Sequence, residues 1–160
     1  MIEGISRFTV QEIQTEVGYT WTHLRNAFGG VDRVDYLGGA TFATDENNVN
    51  GNEGVTMGSF INIKLEGEIN NNNFDEFVTQ TPLYMHEYGH YIDGQGIVGV
   101  YFQTIGLPSA MSNWDWFNRL FGIGDSNFYY TEKRANRKAA TYFRKYGVNW
   151  SDFDEDEWPQ

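Results

Sequence analysis

The chain has no cysteine among its 160 residues, so no disulfide staples its fold and its redox compartment leaves no mark on it. Histidine and proline are both scarce, at three residues each. Basic side chains are outnumbered two to one, 11 against 22, which leaves a formal net charge of −11. A surface of that sign argues against nucleic acid or an anionic membrane as the main partner. Met1 to Val10 carries charge and no long apolar run, unlike a signal peptide. The expectation is a cytosolic protein or a domain cut from a larger exported one, and the localisation stays open between the two. The strongly apolar stretch from Ile97 to Met111 is broken by Gln103, Gly106 and Pro108. It is too short to insert in a membrane and reads as buried helix plus turn.

What is present is the composition of one globular domain spanning residues 1–160, 40% hydrophobic and 21% charged, long enough to bury a core. Aromatics reach 17%, with Trp114, Trp116, Phe117, Tyr129 and Tyr130 clustered in one region.

Val10, Ile13, Val17, Trp21 and Leu24 recur at helical spacing and predict a helix over residues 8–28 that ends at Gly29 and Gly30. Val31 to Asp45, interrupted by Gly38-Gly39, predicts a bent strand or hairpin. Gly51 to Gly54 reads as a turn, and Val55 to Leu65 alternates like a strand. Asn70 to Asn73 reads as a solvated loop. Thr81 and Pro82 suit an N-cap and a first helical turn, so the next helix runs to about Ile92 and stops near Gly94. Asp125 to Tyr130 reads as irregular, and a last helix runs from Thr131 to Tyr146, stopped by Gly147. Asp152 to Glu157 is an acidic, solvent-exposed tail.

The chemistry lies in Met85-His86-Glu87-Tyr88-Gly89-His90. Residues four apart stack on one face of a helix, so both imidazoles can bind one metal ion. Glu87 sits about 100° round the helix from His86, beside the metal rather than on it, where its carboxylate can take a proton from water. Zinc suits such a site because it accepts nitrogen and oxygen ligands and leaves one position open. Gly89 costs about 1 kcal/mol of helix stability relative to alanine, which is explicable if another backbone passes close by. The bland reading is two histidines on an ordinary helix. His23 reads as a half-buried residue of the first helix.

A catalytic zinc usually has three protein ligands. The positions three and six after His90 hold Asp93 and Gly96, which excludes the metzincin pattern. The last helix supplies a candidate. Its apolar stripe reads Glu132, Ala135, Asn136, Ala139, Ala140 and Phe143, while Lys133, Arg134, Arg137, Lys138, Arg144 and Lys145 crowd the rest. A buried carboxylate is costly unless paired or metal-bound, so Glu132 is expected as the third ligand, with Asn136 orienting a histidine. The competing readings are an exposed first-turn Glu132 stabilised by the helix dipole, and Asp125 reaching the metal from a flexible turn. The basic face is expected to be solvated.

With these residues the chain resembles the gluzincin-type zinc metallopeptidases, the thermolysin-like group. The resemblance implies His86, His90 and Glu132 as zinc ligands and Glu87 as general base. That family often has an acid four residues after the ligand glutamate; here the position is Asn136. The run from Gly51 to Phe143 is also similar to small metallopeptidase-like domains at the carboxyl end of Rhs/YD-repeat proteins. The shared pieces are Gly54-Val55-Thr56-Met57-Gly58-Ser59, the HExxH motif, Gly106-Leu107-Pro108-Ser109 and Glu132 to Asn136. This implies a domain of a larger secreted or toxin-like chain.

The expected fold is α+β: an N-terminal helix, a small antiparallel sheet, then a helical half carrying the HExxH helix and the C-terminal ligand helix. The expected activity is hydrolysis of a peptide or protein substrate, with an extended peptide adding beside the Val55–Leu65 strand. Tyr129, Tyr130 and Tyr142 are candidate oxyanion donors. The alternatives are a catalytically silent zinc-binding or interaction domain and a metal-free structural module.

Overall fold

The structure, a computed structural model, describes residues 12–70, 73–95 and 125–148, with the side chains of 12–13 and 125–131 left aside. The elements run α1 (Glu12–Ala27), β1 (Arg33–Leu37), β2 (Ala40–Glu46), β3 (Glu53–Met57), β4 (Phe60–Leu65), α2 (Phe74–Gln80), α3 (Pro82–Gly94) and α4 (Asp125–Phe143). A 3-10 turn, Arg144–Tyr146, follows α4, and Gly147 ends it in the left-handed region at φ 84°. The architecture is the expected α+β one.

Two tight hairpins build the sheet. Gly38 and Gly39 both hold positive φ, the geometry of a two-residue turn matched to strand twist, and they close β1 on β2. Gly58 does the same between β3 and β4, dividing the expected Val55–Leu65 strand into the second half of one strand and the whole of the next. Glu53 and Gly54, expected in a turn, open β3. The strand order is β1-β2-β4-β3. Each hairpin is antiparallel as expected, but β2 and β4 lie side by side in parallel. The sheet is therefore mixed rather than antiparallel throughout. The connection 47–52 carries the chain past one strand width before it turns back, so β4 fills the space between β2 and β3. Alternation marks a strand but does not encode its neighbour's direction.

The helix α3 packs on one face of this sheet and α1 on the other. Phe42, Ile61 and Ile63 from the sheet meet Tyr84, Met85, Tyr88 and Tyr91 from α3, closed off by Phe74 and Val78 of α2 and by Ala139 and Phe143 of α4. Each large apolar side chain buried there contributes about 1.5–3 kcal/mol. Phe42 stacks on Tyr84 and Tyr88 at 5.7 and 6.3 Å between ring centroids. The Tyr84 hydroxyl reaches Thr44 Oγ1 at 2.8 Å, and burial pushes its phenol up to about 12.

The first helix departs from its apolar pattern. Gln14, Gly18 and Thr22 are its buried face, while Leu24 is 49% exposed. The reason is the surface beneath. A Cβ on Gly18 would stand 2.3 Å from the carbonyl oxygen of Met57, so the glycine lets α1 lie close to the β3–β4 hairpin. Thr22 and Arg25 then donate to Asn62 Oδ1 at 3.1 and 3.0 Å. His23 is exposed beside Tyr19, at 4.1 Å between rings, not half-buried.

The last helix starts six residues earlier than expected, so Asp125 is its first residue rather than part of a flexible turn. The expectations for residues 8–11, Ile97 to Met111 and Asp152 to Glu157 lie outside the described residues. Among the described residues no helix is long and apolar enough to cross a membrane.

Candidate metal centre

Every residue of α3 from Tyr84 to Gly89 is buried, so the helix has no solvated face there and each direction around it has a separate partner. At about 100° per residue, Tyr84, Tyr88 and Tyr91 form one stripe. It lies on the sheet, where Tyr88 and Tyr91 both donate to the Gly38 carbonyl, at 3.4 and 3.2 Å. His86 and His90 point the opposite way, with Gly89 and Asp93 toward α4 and Glu87 toward β3.

Gly89 sets how near α4 comes. A Cβ there would meet the Ala135 carbonyl oxygen at 2.1 Å and the Ala139 Cβ at 3.1 Å. The backbone passing close to the motif is thus that of α4. Its small residues Ala135, Ala139 and Ala140 are fully buried against the junction. The whole stripe read from the sequence, Glu132, Ala135, Asn136, Ala139, Ala140 and Phe143, is buried. Glu132 is therefore an inward residue of a helix interior, not an exposed first-turn acid.

This crossing brings three ligand atoms together. Glu132 Oε2 lies 3.0 Å from His86 Nε2 and 3.1 Å from His90 Nε2, and the two imidazole nitrogens are 3.1 Å apart. Ligand atoms about 2.1 Å from a tetrahedral ion stand about 3.4 Å from one another, so the triangle is within a few tenths of an ångström of a metal-binding face. His86, His90 and Glu132 form a buried His-His-Glu group that can bind a metal ion. His90 is its most open member, with an 18% exposed side chain against 2% for His86 and 9% for Glu132.

Asn136, one turn beyond Glu132, places its Oδ1 at 2.7 Å from His86 Nδ1. An amide oxygen only accepts, so Nδ1–H donates to it, and a proton held on that nitrogen leaves Nε2 as the atom able to present a lone pair to a metal. Electrostatics concentrate on the other two members. Burial opposes the charged form of both His90 and Glu132. For Glu132, contacts from His86 and His90 outweigh burial and hold the carboxyl at about 2. For His90, Glu132, with the charges of Glu87 and Asp93, outweighs burial and raises the imidazole above its ordinary value.

Glu87 lies outside the triangle and is 4% exposed. Thr56 of β3 donates to its Oε2 at 2.7 Å and lies 2.9 Å from its carbonyl oxygen. Gly54, two residues back on the same strand face, packs against the carboxylate so closely that a Cβ would meet Oε1 at 2.5 Å. Neither contact was legible as a pairing in the sequence. The available signal was the Gly54-x-Thr56 alternation, which puts both residues on one side of a strand. Arg134, placed on the solvated basic face by periodicity, instead donates to Asp93 Oδ1 at 2.6 Å, tying α4 to α3 just beyond the ligands. Tyr142 packs on Tyr88, 4.8 Å between centroids. At ten residues from Glu132 it is about 15 Å along the helix, which removes it as an oxyanion donor. The side chains of Asp125, Tyr129 and Tyr130 lie outside those described.

Comparison with known proteins finds no family model, no curated protein and no solved structure that matches this chain. The functional reading therefore stands on the site alone.

Proposed function

We propose that the chain is a zinc-dependent metallopeptidase of gluzincin type, with His86, His90 and Glu132 as ligands and Glu87 as general base. The observation that carries the reading is the convergence of the three ligand atoms within 3.1 Å of one another, with a non-ligand carboxylate one residue from His86. Two neutral imidazoles and one carboxylate are the donor set of a catalytic zinc with an open fourth position. Zinc there would supply a Lewis acid for a carbonyl oxygen and an acidified water.

The chain's own part follows from where its groups stand. His86 is locked by Asn136, so its lone pair needs no reorientation. Glu87 has Oε2 engaged by Thr56, and no hydrogen bond among the described residues engages Oε1. Oε1 is the atom to take the proton of the attacking water and return it to the departing amine nitrogen. The outer edge of β3, whose other side pairs with β4, offers backbone groups to an extended peptide beside Glu87. Peptide or protein substrates and a place within a larger Rhs/YD-repeat chain belong to this reading.

The second reading is a catalytically silent zinc-binding domain. The burial of Glu87 and His86, 4% and 1% exposed, favours it, because a catalytic base has to reach water and substrate. The decisive experiment combines elemental analysis with a broad peptide-library assay on the parent and on Glu87→Gln. A peptidase holds about one zinc per chain, since three protein ligands and water complete one tetrahedral site. Its Glu87→Gln variant keeps the zinc and loses about 10² to 10⁴-fold in rate. Zinc without turnover in the parent selects the silent domain, and a parent that takes up no zinc ends both readings.

A further inference from the structure

The segment Gly54-Val55-Thr56-Met57-Gly58-Ser59 stands out in the sequence without an evident job. Its even and odd positions face opposite ways. Met57 faces the α1 side, and its carbonyl oxygen lies against Gly18; Gly58 makes the turn that abuts Thr15. Gly54 and Thr56 face α3, and both end on the same side chain.

Thr56 is 6% exposed and Glu87 4%. Thr56 has one hydroxyl hydrogen and two oxygens of a single residue within reach, Glu87 Oε2 at 2.7 Å and the Glu87 carbonyl at 2.9 Å. The helix already uses that carbonyl for its own ladder, so the carboxylate is the acceptor with more to gain, and the bond to it is charge-assisted. Gly54 blocks the carboxylate from behind: a Cβ would meet Oε1, Cγ and Cδ at 2.5, 2.6 and 2.7 Å. Its φ is not in the left-handed region, so the requirement for glycine is one of space and not of backbone conformation.

We propose that Thr56 is the positioning residue for Glu87, with Gly54 as the shaped wall behind it, and that together they fix the base in one orientation beside the metal ligands. The inference rests on the peptidase reading for its kinetic consequence but not for its geometric one. A glutamate side chain has three rotatable bonds, each of which has to be held if the carboxylate is to keep one place. The strand supplies the restraint from 31 residues away, by a hydrogen bond on one oxygen and a surface against the other.

Three variants test it: Thr56→Val, which keeps the shape and removes the donor; Thr56→Ser, which keeps the donor; and Gly54→Ala, which fills the wall. All three are loaded with zinc, their metal content is measured, and their crystal structures are determined. On a peptide the parent cleaves, Thr56→Val and Gly54→Ala should lose on the order of tenfold to a hundredfold in kcat, the scale of a reacting group misplaced by about 1 Å. KM and zinc content should hold, and Thr56→Ser should stay near the parent. The crystal structures should show the Glu87 carboxylate displaced in Thr56→Val and Gly54→Ala but not in Thr56→Ser. A carboxylate that keeps its place in Thr56→Val, with kcat unchanged, overturns the proposal. Equal loss in Thr56→Ser and Thr56→Val also overturns it, since packing rather than the donor would then matter. If the parent cleaves nothing, the peptidase reading fails separately, and the carboxylate positions alone decide the role of Thr56.

Discussion

Asn136 Oδ1 lies 2.7 Å from His86 Nδ1, and this bond makes a neutral amide the orienting partner of a histidine in the candidate metal group. Where the resemblance suggests an acid, the chain has an amide, yet the geometry of the contact is the one an acid would make. Asn136→Ala should lower zinc affinity by about 10- to 100-fold, the usual cost of losing such a partner. Asn136→Asp should match or exceed the parent. Competition against a chromophoric chelator measures both, and equal affinity in Asn136→Ala would show that His86 needs no such support.

Glu132 and Asp125 make opposite predictions. Glu132 is inward and 3.0–3.1 Å from both imidazoles, while Asp125 opens the same helix two turns earlier. Glu132→Ala should abolish tight zinc binding, leaving two ligands, and Asp125→Ala should leave it unchanged. Isothermal titration on each protein gives the answer, and the reverse pattern would move the third ligand.

Gly89→Ala tests the helix crossing. Alanine raises intrinsic helix propensity by about 1 kcal/mol, so an exposed site would be stabilised. Here the new methyl would meet the Ala135 carbonyl oxygen at 2.1 Å, and overpacking of that kind costs about 1–3 kcal/mol. Urea denaturation should show a net loss of stability, accompanied by weaker zinc binding as Glu132 moves away. A stabilised variant would mean that the helices are free to separate.

The pH dependence follows from two shifts of opposite sign. Glu132 is depressed to about 2 from an ordinary 4.5, so its contribution is present above 4.5 and lost as pH falls toward 2. His90 is raised above 6.5, so its contribution is present below 6.5 and lost as pH climbs through the folded value. Metal-free protein should therefore gain most from this pair between about pH 4.5 and 6.5. Zinc competes with the His90 proton, so its affinity should rise with pH up to the raised His90 value, with about one proton released per ion bound, and level off above it. Chemical denaturation across pH and proton-release calorimetry check the two halves. A zinc affinity flat over that range would show that His90 binds metal without losing a proton.

The sequence by itself determined what short-range backbone geometry can determine. The spacing of four from His86 to His90 places two imidazoles on one helical face in any fold that keeps the helix. The stripe from Glu132 to Phe143 announced its burial because apolar periodicity reports which side of a helix is wet. Gly38-Gly39 and Gly147 marked a turn and a stop through positive φ, a property of single residues. The tertiary structure alone decided what depends on elements meeting across long stretches of chain. Glu132 reaches His90 over 42 residues, Asn136 reaches His86 over 50, and Thr56 reaches Glu87 over 31. Those distances follow from the order of the strands and the closeness of α3 to α4, and no local pattern carries them. The same holds for the buried face of α1. Its apolar spacing included Leu24, which is exposed, while Asn62 of β4 and the close approach permitted by Gly18 bury Gln14, Gly18 and Thr22, because burial is settled by the surface a helix meets and not by the helix alone.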